Sequence, residues 1–508
     1  MITIIGGGLA GSEAAWQAVS QGVPVVLREM RPVRPTAVHK TDRLAELVCS
    51  NSLRGDKLDN AVGLLKEEMR RLGSLIMRAA AASRVPAGAA LAVDRERFSA
   101  DITDTLTTHP LVTIVREEVL AIPPATERDP VIVATGPLTS EALSADIAGL
   151  VGADQLYFYD AISPIVLADS IDRGKVFRAS RWNRSIRLTP DPTIGDCSLG
   201  DRGVRPPADV AGEIRLKADP TQATVACGID DSEGDYLNCP LTREEYERFY
   251  DALSHAESAT VHDFDKEKFF EGCLPIEVMA HRGPDTLRFG PMKPVGLTDP
   301  RTGRPPYAAV QLRQDNLAGD HYSLVGFQTQ LKWSEQARVL RLIPGLEAAE
   351  FVRFGMVHRN TYVNGPKVLA ETWQVRRRPA VFFAGQMSGV EGYVESAASG
   401  LLAGLHAARM TKGEPLSPPP RTTAIGALAY YVSHANPASY DPSNITFGIM
   451  EPMVSSSRSK LARKLAISER ALADLERWRD ALHGGARAVA CQDSKDDVRH
   501  GLQTVADR

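Results

Sequence analysis

Cysteine is scarce in this chain. There are six, Cys49, Cys197, Cys227, Cys239, Cys273 and Cys491, with no CxxC pair and no metal-ligand spacing among them. So thin and scattered a set excludes a disulfide scaffold and a zinc ribbon; it fits a reducing compartment, and no metal is expected. Long apolar runs are missing too. The Ala-rich stretch from Ala79 to Val93 is broken by Arg84, Pro86 and Gly88, which argues against a membrane span. No charged and apolar leader precedes the first glycine-rich turn, so a cytoplasmic location is the expectation. Nor is there an excess of positive charge: 59 Lys and Arg stand against 63 Asp and Glu, a net charge of -4. Contact with nucleic acid would have to use local basic patches. No internal repeat is visible.

What is present is the composition of a globular protein, 43% hydrophobic and 24% charged over 508 residues, enough for two or three domains. The chain opens with a βαβ pattern. Ile2 to Ile5 reads as a buried strand, Ser12 to Gln21 as a helix and Val23 to Leu27 as a second strand. Between the first two lies Gly6-Gly7-Gly8-Leu9-Ala10-Gly11, which satisfies GxGxxG. Gly6 permits the tight turn, Gly8 lets the backbone approach a pyrophosphate, and Gly11 allows helix to pack on strand. Glu29, 18 residues after Gly11, is placed to accept hydrogen bonds from ribose hydroxyls.

A second signal lies far along the chain. A strand from Ala380 to Ala384 leads into Gly385-Gln386-Met387-Ser388-Gly389 and then a helix rich in small residues. Such a late segment places backbone N–H groups near a flavin or its ribityl chain, which favours FAD over NAD as the tightly held cofactor. The alternative is an ordinary helix N-terminus. Together the two signals predict an α/β protein: a Rossmann-like, doubly wound, discontinuous FAD-binding domain with an inserted α+β domain. The expected parts are residues 1–167, an insert over 168–312 with a loop excursion at 182–231, the second half of the FAD-binding domain at 313–455, and a helical tail at 456–508.

Two cysteines stand in unusual contexts. Cys49 lies in Glu46-Leu47-Val48-Cys49-Ser50-Asn51-Ser52-Leu53-Arg54, beside polar residues and an arginine, a setting that can activate a thiol. Cys273 lies in Phe270-Glu271-Gly272-Cys273-Leu274-Pro275-Ile276-Glu277, on a turn. Either could instead be a small buried hydrophobe. At these residues the chain resembles the TrmFO family, folate- and FAD-dependent tRNA (uracil-5-)-methyltransferases related to MnmG/GidA. The likeness is carried by residues 6–15, the Cys49 segment, Glu271 to Ala280, Arg288 to Leu297, Gln311 to Asn316, Val325 to Trp333, His358 to Asn360 and Gly385 to Gly400. It runs from residue 2 to about 455. Trp182 to Asp231 looks like an insertion, and the tail after Lys460 is longer than expected.

The resemblance implies methylation of the T-loop uridine of tRNA (position 54), with methylenetetrahydrofolate as carbon donor, reduced FAD as hydride donor, and NADH or NADPH restoring the flavin. It assigns the covalent nucleophile to Cys273 and an assisting role to Cys49, or the reverse. Tyr393 is a candidate to stack on the pterin ring, with an ordinary core aromatic as the alternative. His358 and Arg313 are candidate contacts to folate or flavin, with structural roles at the surface as the alternative. For RNA the candidate patches are Arg178 to Arg187, Arg376 to Arg378, and Lys460, Arg463 and Lys464, although a run of charge is more often a solvated face than a nucleic-acid contact. Three other readings stay open: the same chemistry on ribosomal RNA, MnmG-like modification of a wobble uridine, and a non-catalytic flavin-bound scaffold.

Overall fold

A computed structural model describes residues 1–36, 38–152, 156–161, 163–181, 234–259, 274–453 and 459–503, with the backbone alone at 156–161, 357–361 and 483–503. The excursion expected at 182–231 and Cys273 both lie outside the described residues.

A six-stranded sheet organises the first unit. Its order is Gln374–Val375, Arg378–Phe383, Val131–Val133, Ile2–Ile5, Val25–Glu29, Val112–Arg116. The last five run parallel and the first is an antiparallel edge strand. The inner strands Ile2–Ile5 and Val131–Val133 are almost wholly buried, as strands covered on both faces by helices must be. From Ile2–Ile5 the chain winds outward through Val25–Glu29 to Val112–Arg116, then returns to the other side at Val131–Val133. The glycine turn therefore sits at the carboxyl end of the strand where the winding reverses, where doubly wound sheets bind ligands.

The late half of this unit is locked on by small residues. Helices Leu9–Ser20 and Tyr393–Thr411 lie so close that a Cβ on Gly400 would come within 2.1 Å of the Ala10 carbonyl oxygen, and one on Gly404 within 2.4 Å of that of Ala14. The small residues seen in the sequence thus let the two backbones touch, and this brings Gly385 beside Ala10.

The second unit is an antiparallel sheet in the order Phe177–Arg178, Tyr236–Leu241, Ala308–Gln314, His321–Leu324, Ile165–Leu167, Phe351–Arg353. Helices Arg243–Ser254, Ile276–His281 and Trp333–Leu340 cover it, with Phe249, Ile276, Phe327 and Val339 in the shared core. The chain passes between the units through an antiparallel ribbon, Leu156–Ala161 against Val357–Tyr362, with His358 opposite Asp160. This pairing corrects the boundary expected at 312, which falls inside the strand Ala308–Gln314; the sheet runs from Ile165 to Arg353. The density of charges and prolines that suggested 312 tracks surface loops, whereas membership of the sheet is set by backbone pairing. A small sheet of Ser52–Gly55, Ala90–Val93 and Arg84–Val85 lies beside the first unit, and a helix over Lys460–Gln503 forms the tail. Among the described residues no helix is long and apolar enough to cross a membrane, and no cluster of three or more His, Cys, Asp or Glu is placed to hold a metal ion.

Candidate functional site

The four glycines of the opening turn divide by what surrounds them. Gly6 takes φ +100°, and a Cβ there would meet the Ala134 carbonyl oxygen at 2.6 Å. A Cβ on Gly11 would lie 1.8 Å from the Gly6 oxygen, and one on Gly7 would strike Leu44 at 2.4 Å. Gly8 alone of the four faces open space, with nothing within 4 Å of the position of a Cβ. It also caps the helix Leu9–Ser20 without any side-chain acceptor for the first N–H groups, which leaves them pointing at whatever fills that space.

That space is a cavity of about 440 Å³. Gly6, Gly8, Leu9, Ala10, Glu29, Gly385 and Gln386 line it, and Cys49, Arg313 and Tyr393 line it as well. Gly7, Gly11 and Met387 do not. Gly7 and Gly11 shape the turn, and Met387 is fully buried, its carbonyl accepting the Val363 N–H at 2.9 Å. Gly385 takes φ +75° and donates its N–H to Ser399 Oγ at 2.7 Å. Gln386 donates to Glu391 Oε2 at 2.7 Å.

Glu29 is committed before any ligand arrives. It accepts the Gly7 N–H at 2.8 Å, the Arg31 N–H at 3.0 Å and Arg31 Nε at 2.8 Å. Burial pushes its carboxyl up, but Arg31 and these N–H groups outweigh burial and hold it below the usual carboxylate range. It therefore stays ionised.

The Cys49 segment lines the cavity and is held from several directions. Tyr393 Oη accepts the N–H groups of Cys49 at 2.7 Å and Ser50 at 3.1 Å. Arg353 donates to the carbonyls of Val48 at 2.8 Å and Cys49 at 3.0 Å. Arg95 donates to the Leu47 carbonyl at 2.8 Å and pairs with Asp315 at 2.9 Å. Arg313, buried, gives Nε to Asn51 Oδ1 and Nη2 to Ser50 Oγ, both at 2.8 Å. Arg54, at φ 62°, lines the cavity and pairs with the fully buried Glu395.

Two sequence expectations change meaning here. Tyr393 lines the cavity, yet its hydroxyl is occupied by the Cys49 backbone; burial, then the neighbouring Cys49, pushes its phenol well above the usual range. Arg313 likewise holds the Cys49 segment. The side chain of His358 lies outside what is described. The sequence reading missed Arg95 and Arg353. Arg95 follows the helix cap Asp94, a legible signal, but nothing in the run Phe351-Val352-Arg353 marks its arginine. Of the basic patches, Arg178 and Arg181 are tied down, to Tyr322 Oη at 3.1 Å and Gln311 Oε1 at 3.0 Å. Arg376 and Arg378 donate to the carbonyls of Ser433 at 3.1 Å and Pro123 at 3.2 Å.

With this geometry in view, comparisons place the chain. The family model described as "GIDA: Glucose inhibited division protein A" matches residues 1–191 and 218–415, and the interruption falls within the stretch read as an insertion. The Aquifex aeolicus GidA structure in its form II crystal superimposes with a TM-score of 0.64 at 16% identity, over 97% of this chain and 76% of that one, a likeness of fold. A Heliobacterium modesticaldum protein named methylenetetrahydrofolate--tRNA-(uracil-5-)-methyltransferase TrmFO is 55% identical over 94% of this chain and 97% of its own. Its namesake from Desulforudis audaxviator is 54% identical over 94% and 98%. A chain that shares more than half its residues with such proteins over nearly their whole length, and a fold with GidA, belongs to the TrmFO family.

Proposed function

We propose that this chain methylates C5 of a uridine in tRNA, the T-loop uridine, with methylenetetrahydrofolate as the carbon donor. The observation that carries the reading is that Cys49 lines the same cavity as the glycine turn. A thiol and a dinucleotide cradle on one wall system are what folate-dependent methylation with a flavin reductant requires.

The residues present fit FAD. Gly8 leaves open the space a Cβ would fill, the uncapped helix behind it suits a pyrophosphate, and Glu29, held ionised, lines the same cavity as an acceptor for ribose hydroxyls. Bound FAD, reduced by NADH or NADPH, would supply the hydride that turns the transferred methylene into a methyl group. The protein's own work is thiol and proton chemistry. C5 of uracil is a weak nucleophile; a thiolate that bonds to C6 makes C5 electron-rich enough to attack the methylene carbon. The C5 proton then leaves to a base as the bond between the methylene carbon and the folate nitrogen breaks, and a hydride added to the resulting exocyclic methylene would expel the thiolate from C6 as the ring regains its double bond. Cys273 forms the bond to C6 and Cys49 assists proton removal; the reverse assignment is the alternative. Support for Cys273 comes from its neighbours. Leu274 is buried, and Ile276 donates its N–H to the carbonyl of Gln328, a residue on the cavity wall. The uridine must leave its stack to reach either sulfur. The enzyme works in the cytoplasm, where tRNA and reduced nicotinamide are found together.

The test is to incubate the purified protein with FAD, NADPH, labelled methylenetetrahydrofolate and unmodified tRNA, with ribosomal RNA in a parallel reaction, and map 5-methyluridine. Label in the T-loop supports the proposal. Label in ribosomal RNA alone, or none despite bound flavin, overturns it. For the cysteines, Cys273→Ala is expected to abolish the covalent adduct with 5-fluorouridine RNA; an undiminished adduct moves the nucleophile to Cys49.

A further inference from the structure

The Cys49 peptide unit is gripped from opposite directions by groups that come from separate parts of the fold. Tyr393, at the start of Tyr393–Thr411, takes its N–H. Its carbonyl receives Arg353 Nη2 at 3.0 Å and Arg95 Nη2 at 3.4 Å. Arg95 belongs to the helix Arg95–Thr108 of the first unit, whereas Arg353 ends the strand Phe351–Arg353 of the second. Arg313 and Asp315, also from the second sheet, complete the ring through Ser50, Asn51 and Arg95. Among the described residues, the charged and titratable groups facing Cys49 are Arg95, Arg313, Arg353, Asp315 and Tyr393. Three guanidinium groups stand against one carboxylate, so the surroundings carry net positive charge, with Tyr393 neutral beside them.

We infer that Arg353 is a positioning residue for Cys49, the second sheet's arm on the reactive loop: it fixes the Cys49 carbonyl and supplies positive charge that favours a thiolate. The geometry distinguishes it from the other two arginines. Arg95 is already neutralised by Asp315 at 2.9 Å, and Arg313 reaches the side chains of Ser50 and Asn51 rather than the Cys49 peptide. Arg353 gives two N–H groups to the two successive carbonyls of Val48 and Cys49. A lysine there would keep the charge but not the fork, because an ammonium has no rigid pair of donors on separate nitrogens. The second unit thus does more than line the cavity, since its sheet edge sets the thiol's place and state.

This inference rests on Cys49 being reactive, and its test reads the thiol directly, without RNA. Full-length protein with bound flavin is treated with iodoacetamide across pH 6 to 10, and alkylation at Cys49 is followed by peptide mass spectrometry. Arg353→Gln is expected to raise the pH midpoint of Cys49 alkylation by about one unit and slow the reaction at neutral pH by roughly tenfold. Arg353→Lys is expected to restore the midpoint but to lower kcat for methylation, with KM for folate unchanged. If Arg353→Gln keeps its flavin and its melting temperature but alkylates like the wild type, the inference is overturned. Should Arg353→Gln fail to fold, a wild-type kcat in Arg353→Lys overturns it instead. A shifted midpoint in a protein that methylates no RNA would sink the proposed function and leave this inference standing.

Discussion

Cys49 and Cys239 carry the same thiol in opposite surroundings. Cys239 sits in the strand Tyr236–Leu241, wholly buried among the apolar side chains of the second sheet. There burial pushes its thiol far above the usual range, with Glu347 adding to the effect. Cys49 lies on a cavity wall with three arginines on its segment. The glycines repeat the contrast: Gly11 is sealed against the Gly6 carbonyl and Gly8 stands before open space. Residue type alone marks neither difference. What the neighbours leave unfilled decides which copy is structural and which is available for chemistry.

Each prediction is a way to break or sharpen that contrast. The largest effect is expected for Cys49→Ala, which should lower methylation turnover on the order of a thousandfold while flavin content stays at the wild-type level. Cys239→Ala should leave turnover intact; equal losses in the two variants, measured in the same labelled-folate assay, would erase the distinction. Next is Gly8→Val. The backbone there has an ordinary φ of -72°, so the protein should fold, yet the side chain would occupy the approach to the helix N-terminus and weaken flavin binding by roughly 100-fold. Fluorescence titration of the apoprotein measures this. Gly11→Ala should instead fail to fold stably, since its Cβ meets backbone at 1.8 Å.

A smaller effect concerns a sealed ionisable group. His406 is fully buried between the carbonyls of Thr372 and Ser417, each 3.2 Å away. Burial, with Arg409 nearby, pulls its pKa from 6.5 to about 4. As pH falls the unfolded chain takes up this proton first. Stability contributed by the neutral ring is therefore complete above pH 6.5 and declines toward pH 4, by roughly 3 kcal/mol at most. Thermal melts between these limits should show that slope in the wild type and a flatter one in His406→Gln. The smallest expected change is the stability of Cys239→Ala, a loss of about 1 kcal/mol for the cavity left in the core, read by denaturant unfolding.

The opening GxGxxG, with strands on either side and Glu29 downstream, was legible because every part of it is local: a few consecutive residues make the turn, and strand length sets the distance to the acid. The late Gly385 segment was legible for a different reason, its small residues, although only the packing of Gly400 on Ala10 explains why those residues must be small. Cys49 drew attention through its own segment. Of the arginines that hold it, Arg95 and Arg353 drew none and Arg313 only as a contact to folate or flavin, because the three lie 46, 264 and 304 residues away in the sequence, and no local pattern encodes that convergence. The boundary at 312 failed for the same reason, since strand pairing is a long-range property.

The sequence by itself determined the α/β class, the glycine turn between strand and helix, and the family, because these depend on hydrophobic period, glycine spacing and residue identity along the chain. Only the tertiary structure decided which glycine faces the cavity, which groups surround each thiol, and that a second sheet reaches across to fix the Cys49 loop. Those outcomes depend on desolvation and on hydrogen bonds between residues hundreds of positions apart, which exist only once the two units have packed together.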